Sequence, residues 1–358
     1  MQALSQLSYT PTRESRILGM GRKVVKRKTL CTVEIFLSRY SRSMRIALIT
    51  PYPPQARNGN AHTASRWRGF LRRAGHSVRL SETWRGDPVD LMIALHARRS
   101  HAAIAGFAAA HRDRPLILVL TGTDLYRDIR FDPQAQASLE LATHLVVLQE
   151  RGILELPEHL RARARTIHQS APTLVQRPRP VRHFELCVVA HLREEKDPFR
   201  AAYASRLLPS SSRVRIRHVG APLVPGMADQ ARNLEAACPR WRWLGGLSHG
   251  RTRQLIARSH LLVLSSRMEG GANVICEALS CGTPVLASCI SGNVGMLGED
   301  YFGYFPVGDE RVLADLIALA ESAPGFHGQL AAQCAARAPR FHPDREEAAV
   351  VALLEECG

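Results

Sequence analysis

The sequence predicts an α/β protein with two Rossmann-like, doubly wound parallel-sheet domains facing a central cleft. Three observations carry this. Short apolar, β-branched runs alternate with amphipathic patterns along the chain after residue 43, which is the pattern of βαβ units. The alternation comes in two sets, parted by PTLVQRPRPVR (residues 172–182), which has three prolines and no amphipathic pattern and reads as an interdomain linker. A length of 358 residues suits two domains of ordinary size. The expected divisions are a leader (1–43), a first domain (44–181), a second (182–343) and a helix (344–358) packing back toward the first.

The leader differs from the rest in charge. It holds nine Lys/Arg and two Glu, a net +7 that leaves +9 of the chain's +16 for everything else. It lacks sustained periodicity and is expected to be disordered. It stops just before Met44-Arg45-Ile46-Ala47-Leu48-Ile49-Thr50, which reads as the first strand of a domain. An upstream start codon, with Met44 as the true beginning, is the preferred reading. A transit peptide and a nucleic-acid-binding arm are the alternatives. No apolar run approaches the ~18–20 residues of a membrane span. The eight cysteines form no C-x-x-C pair, which fits reduced thiols in a cytoplasmic enzyme better than a disulfide framework or a zinc site.

In the first set, strands are predicted at 45–50, 77–80, 91–95, 116–121, 144–148 and 165–168, with helices at 63–74, 100–111 and 133–142. Ligands of such sheets sit beyond the carboxyl ends of the strands. After the first strand, Gly59-Asn60 before a helix would admit an anion to the helix N-terminus, but an ordinary strand–helix turn is the preferred reading of the run taken alone, since neither G-x-G-x-x-G nor a P-loop is present. After the third comes His96-Ala97-Arg98-Arg99. His96 can donate to a sugar hydroxyl or a phosphate oxygen, and the adjacent arginines favour an anion site. After the fourth comes Gly122-Thr123-Asp124-Leu125-Tyr126-Arg127-Asp128, in which Asp124 either orients a hydroxyl or an arginine, or caps a helix.

In the second set, strands are predicted at 186–190, 214–219, 241–244, 261–264 and 284–287. The first is followed by His191-Leu192-Arg193-Glu194-Glu195-Lys196-Asp197-Pro198, a charged loop in which Glu194 and Glu195 read as solvated. The fourth opens SSRMEGGANVICEALSCGTPVLAS (residues 265–288), a glycine pair before a helix with Glu269 on the loop and Glu277 within the helix. A helix N-terminus suits a pyrophosphate, Gly270 and Gly271 permit close approach of a ligand, and carboxylates accept from sugar hydroxyls. Glu269 would then face a hexose and Glu277 a ribose; two solvated glutamates are the equal alternative. Cys276 and Cys281 in this stretch read as core. Gly246-Leu247-Ser248-His249-Gly250 fits a hydrolase nucleophile elbow, with Asp300 and His327 as formal partners, but reads better as a strand-to-helix connection.

The stretch from Glu269 to Glu277 resembles the E-x7-E donor-binding motif of the retaining, family-4 type of GT-B glycosyltransferases, and the likeness continues through Gly282-Thr283-Pro284-Val285, Gly303 and Val307-Gly308-Asp309. The resemblance implies a GT-B architecture. It implies that Glu269, Gly271, Ala272 and Asn273 hold the transferred sugar, that Glu277 holds the ribose, and that His96 lies beside the reacting sugar. Where that family has G-R-L-x-x-x-K to grip pyrophosphate, Lys196 matches the lysine, His191 occupies the arginine's place and Arg193 stands two residues later.

The runs Gly59-Asn60 with Thr63-Ala64, Ala94 to Ser100, Leu120 to Tyr126 and His191 to Pro198 are similar to the selenosugar synthases of selenoneine biosynthesis, GT-B relatives. That likeness implies UDP-N-acetylglucosamine or UDP-glucose as donor, selenophosphate as acceptor, a 1-selenosugar as product, and neither metal nor cofactor. Arg98, Arg99 and Arg127, with Gly59, Asn60, Thr123 and Asp124, would form the acceptor side. A generic transferase acting on a glycan, glycolipid or small metabolite is the alternative, and a nucleic-acid binder a remote one.

Overall fold

The computed structural model describes residues 43–53, 58–175 and 177–357. The expectations for the leader up to residue 42 therefore lie outside the described residues, as do 54–57 in the loop after the first strand and 176 in the linker.

Two six-stranded sheets form, each parallel throughout. The first comprises β1 (Arg45–Ile49), β2 (Ser77–Ser81), β3 (Leu91–Leu95), β4 (Leu116–Val119), β5 (His144–Val147) and β6 (Ala164–Thr166), in the order β2-β1-β3-β4-β5-β6. The second comprises β7 (Phe184–Val189), β8 (Val214–Val219), β9 (Trp241–Trp243), β10 (Leu261–Leu264), β11 (Val285–Ser288) and β12 (Tyr304–Phe305), in the order β12-β11-β10-β7-β8-β9. β12, which the sequence reading missed, is two residues long and has no apolar run to announce it.

Parallel strands are covered on both faces, so they read as continuous apolar runs. β3 (LMIAL) and β4 (LILV) are buried throughout. Their alternate side chains enter different cores. Ile46, Leu48, Leu91 and Ile93 pack with Trp67 and Leu71 of helix α1 (Gly59–Arg73). Ala47, Ile49, Met92 and Ala94 pack with Ile104 and Phe107 of α2 (His101–Ala110). α3 (Pro133–Leu141) follows, started by Asp132, whose side chain accepts from Ala135 N. α1 begins four residues before its predicted start because Asn58 Oδ1 accepts from Ala61 N at 3.0 Å, a cap strong enough to carry Gly59 and Asn60 into the helix despite their poor propensity.

The second sheet carries α4 (Arg200–Leu207), α5 (Met227–Ala237), α6 (His249–Arg258), α7 (Asn273–Ser280), α8 (Ser291–Leu297), α9 (Glu310–Ser322) and α10 (Pro324–Arg337) around one large core. The predicted linker lies along these helices, with Leu174 N donating to Ser280 O and Arg177 N to Ala257 O. The final helix, α11 (Pro343–Cys357), places Val350, Leu353 and Leu354 in the first sheet's core beside Ile46 and Trp67. Among the described residues, no helix is long and apolar enough to cross a membrane.

The strand orders locate the crevices. In an open α/β sheet the ligand site lies where the order reverses. That point falls between β1 and β3 in the first sheet and between β7 and β10 in the second.

Candidate active site

The second crevice is framed by the loops after β7 and β10, which are tied together. Ser265 Oγ donates to Asp197 O at 2.8 Å, and Arg267 N to Glu195 O at 2.8 Å. Lys196 Nζ then meets Glu269 Oε1 at 2.5 Å, and the same oxygen accepts from Ser266 Oγ at 2.6 Å. Glu269 is almost fully buried. Asp197 adopts φ 41°, an uncommon state for a non-glycine residue, and is fixed there by Arg200 Nε at 2.9 Å. Close by in sequence, Arg193 Nε is buried and has no hydrogen-bond partner among the described residues. A buried guanidinium nitrogen without an acceptor is costly, and an anionic ligand would relieve it. His191, in the place of the resembling family's arginine, accepts from Ala221 N through Nδ1 at 3.1 Å.

The first crevice is framed by the loops after β1, β3 and β4. His96 ends β3 with φ 74° and is 2% exposed. It and Asp197 are the two non-glycine residues with positive φ among those described, and each stands at a crevice. His96 Nδ1 accepts from Arg99 N at 3.4 Å, which leaves the proton on Nε2, 3.1 Å from Thr123 Oγ1 and 4.0 Å from Asp128 Oδ2.

Several sequence expectations change here. Asp124 is buried and its carboxylate is saturated: Ala97 N, Thr121 N, Thr121 Oγ1 and Gly122 N all donate to it. It pins the β3 and β4 loops together, so it positions His96 and Thr123 and has no oxygen left for an acceptor. Arg98 and Arg127 converge, but on Asp128, at 2.8 and 3.1 Å. Burial alone would raise the Asp128 carboxyl; the two guanidiniums outweigh it and hold its pKa below the usual carboxylate value. Arg127 also reaches Glu195 at 3.7 Å. Arg99 is exposed and lies over the Tyr52 ring, bonding its hydroxyl. Arg98, Arg127, Asp128 and Asp132 line a cavity of about 370 Å³ with Phe131, which is 80% exposed. That aromatic and that second carboxylate were absent from the sequence reading.

The glycine pair also serves differently from the expectation. A Cβ on Gly270 would fall 2.4 Å from Thr121 O and 2.7 Å from Gly122 N, and one on Gly271 would fall 2.6 Å from Leu148 Cβ. The close approach is by the first sheet's own loops. The two crevices thus abut, with His96 and Thr123 on one side and Lys196 and Glu269 on the other.

Glu277 belongs to a second cluster. Its Oε1 accepts from His249 Nε2 at 2.6 Å, and the His249 ring lies 5.0 Å from that of His62 on α1. Burial first, then the neighbouring His249, lowers the His62 pKa. These residues, with Arg66, Ser170, Arg253 and Asn273, line a cavity of about 180 Å³. Gly59, grouped above with the acceptor residues, instead faces Asn273, whose Nδ2 would lie 3.5 Å from its Cβ. Asn60 is half-buried in the first turn of α1. Ala272 precedes α7 and offers that helix no side-chain cap. The start of α7 and the start of α1 therefore face one gap, and both helix N-termini favour an anion there.

Ser248 caps α6, accepting from Arg251 N at 3.4 Å, and His327 Nε2 pairs with His260 O, so the hydrolase arrangement does not form. Cys276 and Cys281 are buried, and burial pushes both thiols up. Among the described residues no group of three or more His, Cys, Asp or Glu is placed to hold a metal. Sequence reasoning missed Asp128, Arg66, His62 and His249. Helical spacing from Gly59 would have found His62 and Arg66, which share its face of α1.

Residues 175–341, the segment carrying the second sheet, match the family profile of glycosyl transferases group 1. No curated protein sequence matches the chain. Among solved structures it is similar to HepE of Anabaena in complex with UDP-glucose, with 16% identity over 87% of this chain and 100% of that one and a TM-score of 0.69. It is similar to sucrose-phosphate synthase from Thermosynechococcus elongatus, with 16% identity over 88% of this chain and 99% of that one and a TM-score of 0.73. It is also similar to a glycosyltransferase from Rickettsia africae, with 13% identity over 88% and 99% and a TM-score of 0.69. The fold is GT-B.

Proposed function

We propose that the chain is a glycosyltransferase that uses a UDP-sugar, and that its acceptor is the small anion selenophosphate. The observation that carries the transferase reading is the Lys196–Glu269 pair at the second sheet's reversal point, inside the segment matching the glycosyltransferase family, with the unpartnered Arg193 Nε nearby. Lys196 and Arg193 would take the diphosphate oxygens and stabilise charge on departing UDP. Glu269 would accept from a hydroxyl of the sugar once Lys196 is shared with the diphosphate. His96, donating from Nε2, would hold a sugar hydroxyl beside the anomeric carbon.

Selenophosphate is the finer part of the proposal and rests on the resemblance of the His96, Gly122 and His191 loops. Selenium would attack the anomeric carbon as the bond to UDP breaks, and water would then split the Se–P bond to give the 1-selenosugar and phosphate. A soft, multiply charged nucleophile needs alignment and cations more than a strong base. Arg98, Arg127 and Arg99 are the cations within reach of that side. A second reading, transfer to a glycan, is favoured by the exposed Phe131 ring beside Asp128 and Asp132, a combination suited to hydroxyls.

Incubation with UDP-glucose or UDP-N-acetylglucosamine and selenophosphate, followed by mass spectrometry, is expected to give a selenosugar. UDP release only in the presence of a glycan acceptor would support the second reading. Glu277→Ala should weaken UDP binding by about 1.5–3 kcal/mol, the scale of a lost charge-assisted contact. Unchanged calorimetric affinity in a folded variant would remove Glu277 from the donor site.

A further inference from the structure

The 180 Å³ cavity beside Glu277 contains a cation that the transferase reading does not use. Arg66 stands seven residues after Gly59 on α1, two helical turns on and therefore on the same face. Its Nε and Nη2 fork onto the Glu346 carboxylate at 2.6 and 3.0 Å. Glu346 lies on α11 and is 2% exposed; it also accepts from Trp67 Nε1 at 2.8 Å and Ser170 Oγ at 2.5 Å. A carboxylate held by four donors on two segments has one available position. It fixes the plane of the guanidinium and leaves the Nη1 edge toward the cavity, where its nearest partner is Asn273 Oδ1 at 3.5 Å, a weak contact.

We infer that Arg66 is a donor-binding residue, set in place by Glu346, so that α11 completes the nucleotide pocket. This rests on the proposal that UDP binds beside Glu277. The Nη1 edge meets the gap that the N-termini of α1 and α7 also face, so a phosphate or ribose oxygen there would collect a charged hydrogen bond from a group already ordered. Glu346 is a positioning residue, since its oxygens are consumed by protein donors.

The same helix pair supplies a control. Two turns further along α1 and one residue along α11, Arg73 and Glu347 make a similar fork at 3.0 and 2.7 Å, but on the surface and outside the cavity. UDP titrated calorimetrically into the full chain should bind Arg66→Gln about tenfold or more weakly, the scale of one lost charged contact. Glu346→Gln should weaken it severalfold, raise KM for the UDP-sugar, and leave kcat within a few-fold. The double variant should be no worse than Arg66→Gln alone, and Glu347→Gln should match the wild type. Wild-type affinity in folded Arg66→Gln overturns the inference, and so does an effect of Glu347→Gln equal to that of Glu346→Gln. If Arg66→Gln does not fold, Arg66→Lys keeps a cation for Glu346 but lacks the second edge, and wild-type affinity there is equally fatal. A wild-type chain that fails to bind UDP overturns the transferase reading and this inference together; wild-type binding with indifferent Arg66 variants overturns this inference alone.

Discussion

The two sheets hold their charges in different ways. At the second crevice, one lysine meets one glutamate, and Arg193 Nε has no partner among the described residues. At the first, two arginines share Asp128, and the third lies on Tyr52. The second crevice therefore has donors in reserve, while the first has closed its cations on its own carboxylate. A ligand of the second can add contacts. An anionic ligand of the first must displace Asp128, so part of its binding energy goes into exchanging one carboxylate for another. Donor affinity should depend on preformed contacts and acceptor affinity on that exchange.

The largest effect should come from the second crevice. Lys196→Ala is expected to lower kcat on the UDP-sugar about 10²–10³-fold, the loss typical of one electrostatic donor. Turnover unchanged within threefold would mean that this crevice is not where UDP leaves. Next comes acid. His218 lies buried at the end of β8, donating from Nε2 to Ala190 O at 2.9 Å, and burial first of all pushes its pKa down to about 4. An unfolded histidine titrates near ~6.5, so the unfolded chain binds the extra proton first. Stability is full above that value and drains away as pH falls toward about 4, by up to about 3 kcal/mol from this residue. Urea unfolding of wild type and His218→Gln at several pH values checks this: the variant should lose less between neutral pH and pH 4.5, and equal slopes would refute it. The smallest effects belong to the first crevice. Asp128→Asn should lower KM for selenophosphate a few-fold by freeing two arginines; a raised KM would favour a hydroxyl-bearing acceptor. Arg99→Gln should raise that KM less still, because an exposed cation is screened.

Strands were the most legible feature, because burial on both faces writes them as unbroken apolar runs such as Leu91–Leu95 and Leu261–Leu264. The turn Asp124–Asp128 was not predicted as helical, since its sequence reads as a loop. Of the candidate site, Lys196 and Glu269 could be singled out because each stands on a loop after an apolar strand run, and the strand order then places both loops at the second sheet's reversal point. The state of the arginines was not: nothing in Arg98 or Arg127 says that Asp128 will take both. Arg66 was visible only as one position on a helix face, and its partner Glu346 lies 280 residues away. At the glycine pair, absence of a Cβ reveals that something comes close without saying what, and the atoms that come close include Thr121, Gly122 and Leu148.

The return of α11 also bears on how the chain is made. The second core is complete once residues up to Phe341 have been synthesised. The first core needs Val350, Leu353 and Leu354 to cover the face built on Ile46, Leu48 and Trp67. Domains usually finish folding from the N-terminus during synthesis. Here the first core takes its last covering residues from α11, which follows the whole of the second core in the chain, so its face on Ile46, Leu48 and Trp67 is covered only after the second core's residues have been made. A helix of fifteen residues closes it.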